Sequence, residues 1–385
     1  MFPRLVKPIK TRSFFLFGPR GTGKSTFLRD YFQSTEALWF NLLDPELEDM
    51  LSRSPNQLRD QIRLKETQIE WVVVDEIQKV PKLLNIVHHL IETTKIKFAL
   101  TGSSAKKLKK EGANLLAGRA FVNYLFPLTS VEMGEAFDLD DALRWGTLPL
   151  LSQLESDQEK EAYLKSYALT YLKEEIWAEH IIKNLDPFRR FLEICASLNT
   201  EIINYSNISR DVGVSDKTVA SYFEILEDTL VGFSLLPFHR SVRKQQRQSP
   251  KFYFFDIGVA RALARTLPQV ISPSTYGYGK VFEHFIITEI YRLNMYFNKN
   301  YRLYYLRTKD QAEIDLIIEK QDHSLILIEI KSSVLVDDRD CQVLESFLSA
   351  FSGATAMVLS RDNHSKKINS VICHHWKIGL SELFA

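Results

Sequence analysis

Two groups of residues have the types and spacing to do phosphate chemistry, one near each end of a 385-residue chain. The first is Gly18-Pro19-Arg20-Gly21-Thr22-Gly23-Lys24-Ser25, followed by Thr26. This G-x-x-x-x-G-K-S pattern is that of a phosphate-binding loop, whose glycines let backbone N–H groups converge on phosphate oxygens. Lys24 has the reach to meet the β- and γ-phosphates, and the Ser25 hydroxyl suits a Mg²⁺ ligand. Further on, Asp75-Glu76 closes the apolar run Glu70-Trp71-Val72-Val73-Val74. Such a pair divides the work: Asp75 holds Mg²⁺, directly or through water, and Glu76 orients and polarises an attacking water. The expected cofactors are ATP and Mg²⁺. GTP is not expected, because Thr308-Lys309-Asp310-Gln311 only approaches the base-reading Asn/Thr-Lys-x-Asp motif and places its acid one residue early.

The second group lies in the last third of the chain. Residues two apart on a strand share a face, so Glu329 and Lys331 should point together, and Asp315 should meet them from the adjacent strand of a hairpin. Two carboxylates beside a lysine suit metal-dependent phosphodiester hydrolysis. Asp315 and Glu329 would hold a second Mg²⁺, and Lys331 would position the nucleophile or stabilise developing charge. Glu283, on a preceding helical stretch, adds a further acid. The run 325–328 before Glu329 is apolar and should be buried, and buried charges need partners or a metal.

The elements that must position these groups are legible in outline. Ser13–Phe17 reads as a buried strand and residues 26–31 as a helix, the strand–loop–helix context that a phosphate loop requires. A further strand, Phe98-Ala99-Leu100, ends in Thr101-Gly102-Ser103-Ser104, where Ser103 or Ser104 also suits a helix N-cap. Residues 129–186 read as helical, with 162–182 long and amphipathic. Residues 207–212, the turn Gly213-Val214-Ser215 and residues 216–230 read as helix-turn-helix, and a strand over 231–237 makes it winged. Its second helix carries Glu224, Glu227 and Asp228, the wrong balance for phosphate contact. Arg240, Arg243, Lys244, Arg247 and Lys251 beyond it suit nucleic acid better, or a solvated linker. A helix over 281–294, strands over 302–307, 313–318 and 324–330, a helix over 339–351 and a strand over 354–359 follow. That α-β-β-β-α-β order resembles the core of restriction-endonuclease-like proteins.

Composition sets the limits. A formal net charge of +1 excludes a polycation that coats nucleic acid, so any such contact must be a local patch. Three scattered cysteines, Cys195, Cys341 and Cys373, make neither a disulfide framework nor a cysteine-rich zinc site. Cys373-His374-His375 reads as a strand near the C-terminus. Without a secretory leader or an apolar run of the ~20 residues a membrane span needs, the expected location is the cytoplasm.

Taken together, the motifs resemble the widespread prokaryotic predicted ATPases that join an AAA+ domain to a C-terminal domain of unknown function. The phosphate loop, Asp75-Glu76, Thr101-Gly102-Ser103-Ser104 and Leu116-Ala117-Gly118-Arg119 carry the likeness in the first part. It continues through Gly146-Thr147-Leu148-Pro149, Ser215-Asp216-Lys217-Thr218-Val219, Lys251-Phe252-Tyr253-Phe254-Phe255-Asp256-Ile257-Gly258, Phe282-Glu283 and Glu329-Ile330-Lys331. Trp145 departs from the family's glycine, which should alter a turn rather than the chemistry. The resemblance implies that Ser103 sits between the acidic pair and the γ-phosphate. It also implies an arginine finger or sensor at Arg119, acting within the chain or across a homo-oligomer; a surface ion pair suits Arg119 equally. The expected architecture is α/β: an AAA+ P-loop NTPase core over 1–128, a helical lid region over 129–186, a winged-helix-like module over 187–240, and a restriction-endonuclease-like domain over 241–385. The expected function is an ATPase that drives or gates a nuclease-like domain acting on DNA or another nucleic acid. The alternative is an ATP-switched regulatory or interaction protein whose nuclease-like fold only binds.

Overall fold

The computed structural model describes residues 2–33, 35, 37–103, 116, 118–171, 185–239, 245, 249–273 and 275–385. Ser104, Ala117, the stretch of the long helix beyond Tyr171, and Arg240, Arg243, Lys244 and Arg247 of the basic cluster lie outside the described residues. Contacts divide the chain into two compact units. The first comprises Met1–Leu128, Leu148–Leu150 and Ile225–Val231; the second comprises Thr129–Thr147, Leu151–Glu224 and Gly232–Ala385.

The first unit is built on five strands, β1 (Ser13–Phe17), β2 (Ala37–Asn41), β3 (Trp71–Asp75), β4 (Lys97–Gly102) and β5 (Ala120–Tyr124). They form one parallel sheet in the order β2-β3-β4-β1-β5. Helices α1 (Lys24–Tyr31), α2 (Pro45–Arg53), α3 (Asn56–Arg63) and α4 (Leu83–Thr93) connect the strands. Parallel strands covered on both faces lose the apolar–polar alternation. Accordingly every residue of β1 and β3 is buried. Phe15, Phe17, Val72, Val74, Phe98 and Leu100 form the centre of this core, and Leu83, Leu84, Val87 and Leu90 of α4 pack on it. Because the strands are parallel, Phe17, Asp75 and Gly102 all end at one edge, the edge where open α/β sheets bind ligands.

In the second unit, α5 (Ser130–Met133), α6 (Leu139–Trp145), α7 (Asp157–Ser166), α8 (Leu185–Ser197), α9 (Tyr205–Val212) and α10 (Asp216–Asp228, of which residues 225–228 belong to the first unit) precede β6 (Gly232–Pro237) and β7 (Lys251–Phe254). The turn between α9 and α10 has the expected chemistry. Gly213 closes α9 in the left-handed region, and the Ser215 hydroxyl accepts the Thr218 N–H at 3.2 Å. Asp216 is spent on holding the two helices together, accepting the Ser206 and Ser209 hydroxyls at 2.6 Å each. Then come α11 (Ile257–Leu263), α12 (Tyr276–Tyr296), β8 (Arg302–Arg307), β9 (Glu313–Glu319), β10 (Leu325–Lys331), α13 (Asp338–Leu348), β11 (Thr355–Ser360), β12 (Lys366–Ile368), β13 (Val371–His375) and α14 (Trp376–Phe384). The eight strands described in this unit lie in one mixed sheet, ordered β12-β13-β11-β10-β9-β8-β6-β7. Strands β8, β9 and β10 run antiparallel in sequence, and α13 carries the chain across so that β11 lies parallel to β10. Cys341 and Cys373 are free thiols in its core, 3.7 Å apart.

The motifs around residues 146 and 256 meet in this unit and serve packing. Gly146 has φ 82°, and a Cβ there would stand 2.2 Å from the Asp256 carboxylate. That carboxylate accepts the Thr147 N–H at 2.8 Å and the Val259 N–H at 3.1 Å, capping α11. Arg292 completes the junction by donating to Thr147 Oγ1 and the Phe255 carbonyl. Trp145 is buried at the end of α6, with the Arg144 guanidinium over its ring. No described helix is long and apolar enough to cross a membrane.

Candidate functional sites

The phosphate loop leaves β1 and turns into α1 at Gly23, whose φ of 89° a side chain would resist. Bonds from three directions fix the loop. The Gly18 N–H donates to the Gly102 carbonyl at the end of β4, and the Thr22 hydroxyl to the Pro19 carbonyl at 2.8 Å. Arg4 donates to the Thr22 carbonyl at 2.8 Å and to the Phe126 carbonyl at 2.5 Å. Lys24 is only 5% exposed; its ammonium donates to the carbonyls of Gly18 (2.8 Å) and Pro19 (3.3 Å). Arg20, Gly21 and Thr26 line the exposed side of the loop.

Below the loop lies a chain of short contacts. The Ser25 hydroxyl donates to Asp75 Oδ2 at 2.5 Å, and the Thr101 hydroxyl donates to the other oxygen of the same carboxylate. Thr101 Oγ1 also accepts the Glu76 N–H at 2.9 Å, so one hydroxyl spans both acids. Glu76 has φ 62°, a backbone conformation that is costly for a residue with a side chain and concentrates at working sites. Its carboxylate stands 4.0 Å from the Lys24 ammonium and accepts the Gln78 side-chain amide. The same amide lies 3.1 Å from Ser103 Oγ. Lys24, Ser25, Asp75, Glu76 and Ser103 are therefore gathered at one sheet edge.

Arg119 is not among them. It immediately precedes β5, at the opposite end of the strands, where its guanidinium pairs with Glu92 near the end of α4 at 2.5 Å. Nor did sequence reasoning single out Thr101, Gln78 or Arg4. Thr101 takes its place from the parallel register, in which Val74 pairs with Leu100 and the next residues, Asp75 and Thr101, come side by side.

In the second unit the β9–β10 ladder pairs Leu316 with Ile328. Beyond that point the Asp315 carboxylate accepts the Ile330 N–H at 2.7 Å. Glu329, 7% exposed, accepts the Lys331 ammonium on Oε1 at 2.8 Å, while its buried Oε2 has no partner. Asp315, Glu329 and Lys331 thus meet at the end of the hairpin.

Glu283, from α12, joins the cluster through a residue the sequence did not mark for it. The Lys251 ammonium, on β7 and 3% exposed, lies 3.2 Å from Glu283 Oε1 and 2.6 Å from Glu313 Oε1. Tyr253 donates to Glu283 at 2.8 Å, and Arg307 stands 3.6 Å from Glu313. Burial drives the Asp315 carboxyl well above the usual range, reinforced by Glu329 and Glu283. Burial likewise raises Glu329, against the pull of Lys331. Burial opposes the charge on Lys251, but Glu283, Glu313 and Asp315 outweigh it and raise its pKa. Among the described residues, no three His, Cys, Asp or Glu side chains are grouped to hold a metal ion. The two-carboxylate pair with an orphaned oxygen is nevertheless a hard-oxygen donor set of the kind Mg²⁺ and Mn²⁺ take.

Residues 10–134 match the AAA domain family. The first unit holds an AAA-type ATPase domain. Residues 136–269 match a domain of unknown function (DUF8612), and residues 278–378 match another (DUF4143). An uncharacterized protein of Mycobacterium tuberculosis is 26% identical over 306 residues, covering 79% of this chain and 67% of its own length. An uncharacterized protein of Haemophilus influenzae is 24% identical over 337 residues, covering 80% of each chain. Domain III of the Thermotoga maritima replication initiation protein DnaA aligns at 13% identity with a TM-score of 0.24, covering 57% of this chain and 85% of that one.

Proposed function

We propose that this protein binds and hydrolyses Mg-ATP in its first unit, and that turnover drives or gates a metal-dependent, nucleic-acid-acting site in residues 241–385. The observation that carries the ATPase reading is the Ser25–Asp75–Thr101–Glu76 chain beneath the phosphate loop. Lys24 exchanges its loop carbonyls for the β- and γ-phosphate oxygens. Ser25 and Asp75 would hold Mg²⁺, which when bound would supply neutralisation of charge on the phosphates. Glu76 takes the proton of the attacking water, and Gln78 and Ser103 aim its carboxylate. In the C-terminal site Asp315 and Glu329 would hold a divalent cation, which when bound would supply acidification of water and polarisation of the phosphoryl oxygen. Lys331 stabilises the charge that develops on the scissile phosphate. The order of β8–β9–β10, α13 and β11, which resembles a restriction-endonuclease-like core, supports this half.

The ATPase half is tested with Lys24→Ala and Glu76→Gln. Lys24→Ala should abolish ATP binding, while Glu76→Gln should bind ATP normally and hydrolyse it about 10²–10⁴-fold more slowly. Undiminished turnover in the Glu76 variant removes that residue from the chemistry.

A further inference from the structure

The C-terminal cluster is divided into two halves by its cations. Four carboxyl groups, Glu283, Glu313, Asp315 and Glu329, meet the three cations Lys251, Lys331 and Arg307. Two of the cations, Lys251 and Arg307, lie on the Glu283–Glu313 side, where the Tyr253 hydroxyl also donates. On the Asp315–Glu329 side the direct donors among the described residues are the Lys331 ammonium and the Ile330 N–H, and there Glu329 Oε2 is left buried without a partner. The orphaned oxygen is therefore on the side that Lys251 does not directly contact.

Lys251 is not a surface lysine that strays in. It belongs to a fully buried strand, and Tyr305 packs beside it with the ammonium 5.6 Å from the ring centroid. Its backbone is fixed by pairing with Leu235 of β6, and its ammonium is held by Glu283 and Glu313. Hydrolytic sites with two metals hold them ~3.5–4 Å apart between shared carboxylates. Here an ammonium already occupies the space between two of the four.

We propose that Lys251 is a built-in cation standing where a second metal would lie, so that the cluster takes one divalent cation, held by Asp315 and Glu329, with Glu283 and Glu313 engaged by Lys251. The inference rests on the metal-site reading given above. It makes Glu283 a partner of Lys251 and not a metal ligand.

The test is Mn²⁺ binding to the nucleotide-free full chain by titration calorimetry, in an Asp75→Asn background that silences the first site. The parent should bind one Mn²⁺, and Asp315→Asn should bind none. Glu283→Gln should leave the stoichiometry at one Mn²⁺, with the affinity changed by less than about 10-fold. Lys251→Met should gain a second Mn²⁺ or tighten the first roughly 10-fold, whereas Lys251→Arg should still bind one. A parent whose Mn²⁺ binding does not depend on Asp315 removes the metal-site reading itself. Binding that depends on Asp315 but collapses in Glu283→Gln, or is unmoved in folded Lys251→Met, overturns the role of Lys251 alone. If melting shows that Lys251→Met does not fold, the Glu283→Gln titration decides.

Discussion

Acidification should loosen the second unit through one histidine. His284 is buried between Asn199 Nδ2, 3.0 Å from its Nδ1, and the Phe254 carbonyl, 2.6 Å from its Nε2. Asn199 has no freedom to turn round, because its Oδ1 accepts the Phe254 N–H at 3.0 Å. Nδ1 must therefore accept and Nε2 must donate, which is the neutral ring. Protonation would set two donors face to face. Burial, helped by the charge of Arg292 and opposed by the Phe254 carbonyl, pushes the pKa down to about 4 from 6.5. The folded state thus refuses a proton that the unfolded chain takes between those values, so stability falls as pH falls through this window and is unaffected by His284 above it. Linkage gives a loss of about 2 kcal/mol between pH 7 and 5, and ~3 kcal/mol once the window is crossed. Urea unfolding of wild type and His284→Gln at pH 7, 6 and 5 measures it. Glutamine keeps a donor for Phe254 and an acceptor for Asn199 and does not titrate. The wild type should lose about 2 kcal/mol more than the variant over that range. Equal losses would refute the reasoning.

Three substitutions probe other parts of the structure. Gly146→Ala should cost roughly 2–4 kcal/mol, read as a lowered unfolding midpoint, because it adds left-handed strain to a clash with the Asp256 cap. Gln78→Leu should lower kcat for ATP by roughly 10–100-fold while leaving ATP affinity unchanged, because only the aim of Glu76 is lost. Arg119→Ala should leave ATP turnover of dilute monomer untouched, since its guanidinium lies across the sheet from the loop. A defect that appears only as protein concentration rises would place it in a partner's site, and a defect in the monomer would contradict the geometry.

The parts of the two sites that could be seen in the sequence are those made by neighbours in the chain. A loop pattern contains its own geometry, so Gly18 to Ser25 announced a phosphate site before any strand was paired. Glu329 and Lys331 were legible for the same reason, being two apart on one strand. What escaped was made by register and burial. Thr101 gains its meaning only once β4 lies beside β3. Lys251 was read with a basic surface cluster, because its charge hid the fact that the surrounding Phe252-Tyr253-Phe254 strand would carry it indoors. Arg119 was read from its motif as a finger or sensor and, equally, as a surface ion pair; its contact with Glu92 is the second of these. The strand that follows it, with Phe121 and Val122 exposed at a sheet edge, lacks the burial that makes a strand easy to see, and without that strand its end of the sheet could not be assigned.

The most direct test of an ATPase coupled to a C-terminal nuclease is strand cleavage. Wild type, Asp315→Ala and Glu76→Gln would be incubated with single- and double-stranded DNA and RNA, with Mg²⁺ or Mn²⁺, with and without ATP. The account predicts metal-dependent cleavage by wild type that is lost in Asp315→Ala and altered in its ATP response in Glu76→Gln. Absence of cleavage on every substrate, with ATP hydrolysis intact, would contradict it and leave an ATP-switched protein whose C-terminal unit only binds.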